Sequence, residues 1–194
     1  MFRLVILSLM FVAGPLAAQA QERALTDAEV LDLADRQILW CENWSDATRD
    51  CESLYLLRRE ADGTLIRAGM FLLTEDPDVQ ITVAQIVTLE HGRLCAAGST
   101  DDQTILATLD GRSSPEMSAV ARVILTESMA EYAEAAICQQ LFSQGDPDAL
   151  GEIITADDIR LYDFESTYRL GRIDSGFLLR PVLGDEPEEG FTDL

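Results

Sequence analysis

The sequence predicts an α+β domain, in which an antiparallel meander sheet carries an N-terminal helix and one long helix on one face, with disulfides bracing the fold. Three observations predict this class. A helix-capping pattern stands near the start of the chain, apolar and β-branched segments separated by turn residues follow it, and a long segment with helical spacing comes after them. This order favours helices segregated to one face of an antiparallel sheet.

Residues 1–20 have the features of a secretory signal peptide. Arg3 precedes an apolar run that ends at Ala13, and residues 18–20 form the small-x-small sequence Ala-Gln-Ala that a signal peptidase needs. The run is shorter than the ~18 apolar residues of a membrane-spanning helix. We therefore expect cleavage after Ala20, a single domain over residues 21–183, and an acidic, disordered tail over residues 184–194.

The first helix is predicted to begin near Thr26, because Thr26 and Glu29 match a capping box. Apolar residues then keep helical spacing as far as Trp44. Two interpretations of residues 37–44 stay open. Either the helix continues to about Trp44, or a shorter helix is followed by a strand from Gln37.

Five segments rich in apolar and β-branched residues are predicted strands, and turn residues such as those in Asp62-Gly63 and His91-Gly92 separate them. We expect a meander of four or five antiparallel strands. The segments are residues 53–59, 64–73, 79–90, 93–97 and 104–109.

After the strands, apolar spacing predicts a long helix over residues 116–142. A closing hairpin around residues 174–176 would then pair residues 166–173 with residues 177–182. In the order of its elements the chain is similar to cystatin-like and nuclear-transport-factor-like curved sheets. This likeness rests on element order alone, and it implies a sheet with helices on one face.

Four cysteines, Cys41, Cys51, Cys95 and Cys138, are expected to form two structural disulfides. Their spacing contains neither the Cys-x-x-Cys of a thioredoxin-like site nor the paired cysteines of a common zinc site. Four cysteines allow three pairings, and sequence alone does not decide among them. Proximity favours Cys41–Cys51, which leaves Cys95–Cys138 to tie a strand to the long helix. We expect no free thiol.

Several chemistries lack the residues that they require. His91 is the only histidine, it stands at an expected hairpin tip, and no nucleophile-elbow or zinc-protease motif accompanies it. The chain has no lysine, which removes Schiff-base chemistry and the phosphate-binding P-loop, and no Gly-x-Gly-x-x-Gly fingerprint is present. We therefore predict no catalytic residue and no cofactor.

Residues 146–157 imitate an EF-hand loop, with acids at its first, third and last positions. Leu150 stands where an oxygen ligand belongs, and Asp157 replaces the bidentate glutamate. The segment is equally typical of a short capped helix beginning at Pro147. We predict no metal site here.

The charge and composition restrict location and partners. The formal net charge of −21 argues against nucleic acid and anionic membrane surfaces as partners. The absence of lysine and a single asparagine, Asn43, are typical of a GC-rich bacterial genome. Together with the signal peptide and cysteines, this composition predicts a periplasmic protein that leaves the membrane after cleavage.

By elimination, the sequence favours a non-catalytic binding or accessory protein with an unknown protein or small-molecule partner. Trp44, Tyr55 and Phe71 are the candidate ligand-binding residues. The competing hypothesis is a carboxylate-dependent hydrolase that acts on a periplasmic glycan or a similar neutral or cationic substrate, because such an enzyme needs only two suitably placed acids. A third possibility is a protein whose acidic surface, or acidic tail from Gly184, docks a basic partner. The oligomeric state stays open.

Overall fold

The computed structural model describes residues 22–182, and it shows a closed antiparallel β-barrel. The predicted sheet with helices packed on one face is therefore wrong, and so is the likeness to cystatin-like and nuclear-transport-factor-like sheets. The predicted signal peptide and the acidic tail over residues 184–194 lie outside the described residues.

Residues 22–182 form two α-helices and fourteen strands. The helices are α1 (Asp27–Asp35) and α2 (Pro115–Ser128). The strands are β1 (Arg23–Ala24), β2 (Leu39–Glu42), β3 (Asp50–Cys51), β4 (Ser53–Arg59), β5 (Leu65–Glu75), β6 (Asp78–Glu90), β7 (Arg93–Ala97), β8 (Thr104–Leu109), β9 (Arg112–Ser113), β10 (Ala136–Ser143), β11 (Ala149–Ala156), β12 (Ile159–Arg160), β13 (Thr167–Gly171) and β14 (Leu178–Leu179).

Eight of these strands close into a ring in which each strand pairs with its neighbours in barrel order. The order is β2, β4, β5, β6, β7, β10, β11, β13 and again β2, and every pair is antiparallel. Closure leaves no free sheet edge in the ring, so both backbone edges of every strand find hydrogen-bond partners over part of their length.

The first helix is the shorter of the two alternatives. The side chain of Thr26 accepts a hydrogen bond from the backbone of Glu29, which confirms the capping box. The helix ends at Asp35, and a positive φ of 50° at Gln37 turns the chain into β2. The apolar residues of β2 have helical spacing, but backbone hydrogen bonds to β4 and β13 stabilise the extended conformation instead.

The predicted long helix over residues 116–142 is wrong in its second half. Helix α2 ends at Ser128, a short 3₁₀ helix follows at Ala130–Tyr132, and Ala136–Ser143 is a barrel strand. This strand pairs with β7 on one side and β11 on the other, so tertiary hydrogen bonding decides its conformation.

The predicted C-terminal hairpin is also wrong. Strand β13 uses its two edges to pair with β11 and β2, so neither edge remains for residues 177–182. Leu178–Leu179 instead lies parallel to Asp50–Cys51.

The apolar residues form two clusters. The larger cluster fills one end of the barrel, where α1 covers the opening with Val30, Leu33 and Ala34. The smaller cluster lies beneath α2, where the β5–β6 hairpin extends beyond the barrel and β8 pairs with its outer half. The buried members of the smaller cluster are Val79, Ile81, Ile105, Ala107 and Ala121.

Both disulfides form, in the pairing favoured by proximity: Cys41–Cys51 and Cys95–Cys138. Among residues 22–182 no cysteine is free. Cys95 and Cys138 face each other across β7 and β10, so this bridge joins two strands and not a strand to a helix. Disulfides of this kind are typical of proteins that fold in an oxidising compartment.

None of the helices within residues 22–182 is both long and apolar enough to cross a membrane.

The two disulfides should differ in their contribution to stability. Their sequence separations are 10 and 43 residues, for which the chain-entropy relation gives about 3 and about 4 kcal/mol. We therefore expect C95S/C138S to lower the free energy of unfolding by about 1 kcal/mol more than C41S/C51S. Urea unfolding of both double variants and the oxidised parent would measure this difference. A larger loss in C41S/C51S would contradict the expectation.

Candidate functional site

A cavity of about 480 Å³ lies at the barrel end opposite α1. Side chains from seven barrel strands form its floor and walls, and the segments after α2 and β12 form its rim. The residues used below are Glu42 on β2, Tyr55 on β4, Arg67 on β5, Gln85 on β6 and Glu152 and Ile154 on β11, with Met129, Tyr132, Asp163, Phe164, Glu165 and Ser166 at the rim.

Arg67 is the most unusual residue of this cavity. Its Nε atom is buried without a hydrogen-bond partner, and no carboxylate among residues 22–182 lies within 4.0 Å of its guanidinium. The guanidinium packs on the Tyr55 ring, whose centroid lies 4.5 Å from the guanidinium carbon. A buried charge without a hydrogen-bonded partner is rare in proteins, because desolvation of the charge is not offset. Since Arg67 lines the cavity, its terminal Nη atoms are the donors that a bound group could reach.

Glu152 forms a buried polar cluster on the cavity floor. Its carboxylate accepts hydrogen bonds from the hydroxyl of Tyr168 and from the amide nitrogen of Gln139. Burial raises the pKa of Glu152, although the nearby Arg67 charge and these hydrogen bonds oppose the rise. Burial also raises the pKa of Tyr168 well above its usual value, and the charge of Glu152 adds to that effect.

Glu42 is a second carboxylate of the cavity, whose lining also includes Glu52, Asp163 and Glu165. Its two oxygens accept hydrogen bonds from the hydroxyls of Ser53 and Ser166. The charge of Glu42 contributes to the raised pKa of Glu152, which places the two acids within electrostatic reach of each other.

A smaller chamber of about 180 Å³ adjoins the cavity and shares Tyr55, Arg67, Gln85 and Met129 with it. The rest of its lining is mainly apolar and comes from β5, β6, α2 and the loop before β8: Gly69, Phe71, Val83, Leu125 and Gln103. Arg67 stands at the junction of the two spaces.

Gly69 leaves room for the Tyr55 ring beside β5. A Cβ atom at this position would lie only 2.7 Å from the Cε1 atom of Tyr55. Because the guanidinium of Arg67 packs on the same ring, Gly69 indirectly positions this cation.

The rim is held by aromatic contacts and ion pairs. The rings of Tyr132 and Phe164 meet edge to face at a centroid distance of 6.1 Å, which joins the segment after α2 to the segment after β12. The carboxylate of Glu165 pairs with Arg160, so its charge is partly neutralised. Asp163 has no ion pair with any residue in the described range 22–182.

The three residues that the sequence proposes for ligand binding do not all meet. Tyr55 lines both spaces and Phe71 lines the smaller one, so these two lie within reach of a common ligand. Trp44 lies elsewhere: its ring packs edge to face on Phe177, and its indole N–H donates to Asp46 at 2.8 Å. A ligand role for the three stays a prediction.

Other sequence candidates occupy structural positions. His91 is exposed at the β6–β7 turn, where its φ of 53° and that of Gly92, 77°, are typical of a tight hairpin. Most of the EF-hand-like segment is strand β11, which separates Asp146 from Asp157 by roughly 25 Å at the usual rise per residue. Within residues 22–182 no three His, Cys, Asp or Glu side chains cluster as they would around a metal ion.

Sequence reasoning missed Arg67, Glu42, Gln139 and Glu152. A charged residue inside a mainly apolar strand could have indicated a functional site. Arg67 in LIRAGMFLLTE and Glu152 in ALGEIITA are such residues. Both faces of β5 are rich in apolar residues, so the pattern does not reveal which face is inside.

A larger open groove, of about 760 Å³, follows the outside of the barrel beside the Cys95–Cys138 bridge. None of the buried side-chain atoms that lack a hydrogen-bond partner within residues 22–182 belongs to its lining. The barrel cavity is therefore the stronger candidate site.

The raised pKa of Glu152 should appear in the pH dependence of stability. A carboxyl whose pKa is raised by folding contributes stability that is complete below its ordinary value of 4.5 and is lost as pH rises through the folded-state pKa. We expect Glu152→Gln to become more stable relative to the parent protein as pH rises above 4.5. Denaturant unfolding across this pH range measures the difference.

Glu29→Gln is a matched control of opposite sign. The ion pair with Arg23 lowers the pKa of Glu29 to about 2, so its contribution is present above 4.5 and is lost as pH falls towards 2. Parallel stability curves for Glu152→Gln and the parent protein would show that the pKa of Glu152 is not raised.

Comparisons with protein-family models, curated protein sequences and solved structures find no match to this chain.

Proposed function

We propose that this protein is a secreted, non-catalytic binding protein that holds a small molecule in the mouth of its barrel. The observation that carries the proposal is the cavity of about 480 Å³ in which the Arg67 guanidinium lacks a partner among residues 22–182. A ligand that accepts hydrogen bonds from this group would offset part of the free energy that its desolvation costs.

The architecture supports this proposal. The interior of an eight-stranded barrel is either filled by side chains or wide enough to hold one small ligand. In this barrel, apolar side chains fill the end near α1, and a cavity lies at the other end. The cavity volume falls within the roughly 300–1,000 Å³ of small-molecule sites, and such sites combine apolar walls with a few convergent polar groups.

A periplasmic location agrees with the two disulfides and with the signal-peptide pattern of residues 1–20. The strong negative charge of the chain continues to argue against nucleic acid as the partner.

Filling the cavity should abolish binding. Ile154 lines the cavity, so an indole at this position would occupy space that the ligand needs. Leu106 provides a matched control, because it lies on a strand and is 54% exposed. We expect at least one compound of a panel of neutral, anionic and cationic metabolites to bind the parent protein and Leu106→Trp but not Ile154→Trp. Calorimetric titration measures this, with a thermal melt as the folding control.

Two outcomes would contradict the proposal. Either no member of the panel binds the parent protein, or every compound that binds does so equally well to Ile154→Trp.

A specific observation also supports the competing hydrolase function: Glu42 and Glu152 line one cavity, and burial raises the pKa of Glu152. An acid with a raised pKa beside a second carboxylate is the pair that glycoside hydrolysis uses. Against this function, all four carboxylate oxygens already accept hydrogen bonds from protein side chains. These bonds are typical of acids that organise a scaffold.

The hydrolase function predicts turnover of peptidoglycan or another glycan that Glu152→Gln abolishes without unfolding the protein. On the binding proposal, we expect no release of reducing sugar by the parent protein above the level given by Glu152→Gln. Turnover lost in the variant, with an unchanged thermal melt, would replace the binding proposal by the enzymatic one.

A further inference from the structure

We infer that the ligand is a small monocarboxylate with an apolar tail, whose carboxylate binds the Arg67 guanidinium and whose tail enters the chamber beneath α2. This inference rests on the proposed binding function and specifies its ligand class.

The first argument is the hydrogen-bonding capacity of Arg67. A guanidinium offers several N–H donors in a planar fork that matches a carboxylate. None of these donors bonds to any residue between 22 and 182, and the face of the cation that meets the protein rests on the Tyr55 ring. The buried Nε atom is closed off from the cavity, so the two terminal Nη atoms are the donors that a bidentate acceptor can reach.

The second argument excludes a cation from this position. The carboxylates of Glu42 and Glu152 accept hydrogen bonds from Ser53, Ser166, Tyr168 and Gln139. A bound cation would therefore have to compete with these donors, and it would also lie in the same cavity as the Arg67 charge.

The third argument favours one negative charge over two. Burial by itself would lower the pKa of Arg67, and the same two acids lie within electrostatic reach and oppose this lowering. A dianion such as a phosphate monoester would be repelled by both acids. A monocarboxylate offers the same bidentate geometry with a smaller repulsion.

The fourth argument concerns the tail. The chamber of about 180 Å³ opens at Arg67 and is walled by Phe71, Val83 and Leu125, with Met129 at the junction. A ligand whose carboxylate binds Arg67 can place its apolar part only there or towards the rim. The chamber is the more apolar of the two, because the rim carries Asp163 and Glu165.

The test compares probes of equal length and different head group on the parent protein at pH 7. Octanoate, octanamide and octylammonium share one tail, and butyrate shortens it. We expect octanoate to bind at least about tenfold more tightly than octanamide, octylammonium or butyrate in calorimetric titration, because only octanoate satisfies both the cation and the chamber. Equal or tighter binding of the amide or the ammonium compound overturns the inference, and so does a failure of octanoate to bind.

Variants then assign the preference to Arg67. We expect Arg67→Gln to lose the preference for octanoate over octanamide, and Arg67→Lys to keep part of it, because a lysine retains the charge without the planar fork. Arg58→Gln is the matched control: Arg58 lies on β4, adjacent to β5, and its side chain is 52% exposed. A preference that survives in Arg67→Gln overturns the inference. If Arg67→Gln does not fold, the probe series on the parent protein and Arg67→Lys decide it.

The outcome can be separated from that of the proposed function. If octanoate is not preferred but another compound binds in a manner lost in Ile154→Trp, the ligand class is wrong and the binding function stands. If no compound shows binding that is lost in Ile154→Trp, the inferred ligand class and the proposed binding function are both wrong.

Discussion

The pairing of β2 with β13 is the constraint on which the rest of the structure depends. These strands are far apart in sequence, and the ladder from Glu42–Tyr168 to Leu39–Gly171 closes the barrel. Bringing such distant segments together is entropically unfavourable, so closure requires the support of all the other ladders and of the apolar cluster. Closure in turn removes two sheet edges, and it fixes Glu42 and Tyr168 as cross-strand neighbours on the barrel wall.

The closed barrel divides its interior between two opposing tasks. Residues such as Leu57 and Leu141 are fully buried near α1 and supply apolar stabilisation. Towards the other end, the burial of Glu152 and Arg67 costs free energy that their surroundings only partly offset. The rings of Tyr168 and Tyr55, 5.8 Å apart and nearly perpendicular, lie between these two regions. A natural core that breaks the apolar pattern at one end is typical of a binding site, where function competes with stability.

The excursion over residues 98–135 interrupts the barrel between β7 and β10, and it covers part of the cavity. Its helix α2 packs on β8, and Leu125 and Met129 complete the smaller chamber. The Cys95–Cys138 bridge joins the two strands that flank this excursion, with a Cα–Cα distance of 4.1 Å. The bridge therefore holds both ends of the excursion together, which restricts the positions that α2 can take over the barrel mouth.

Local features could be predicted from the sequence because neighbouring residues determine them. The capping box of Thr26 and Glu29, the turn at His91-Gly92 and the bridge between Cys41 and Cys51 each involve residues close together in the chain. Only the tertiary structure decided that Ala136–Ser143 is a strand, because that segment has helical spacing and becomes extended by pairing with β7 and β11. That Arg67, Glu42 and Glu152 line one cavity was likewise decided by the tertiary structure. It depends on ring closure, and a sequence pattern does not show which face of a largely apolar strand will be enclosed.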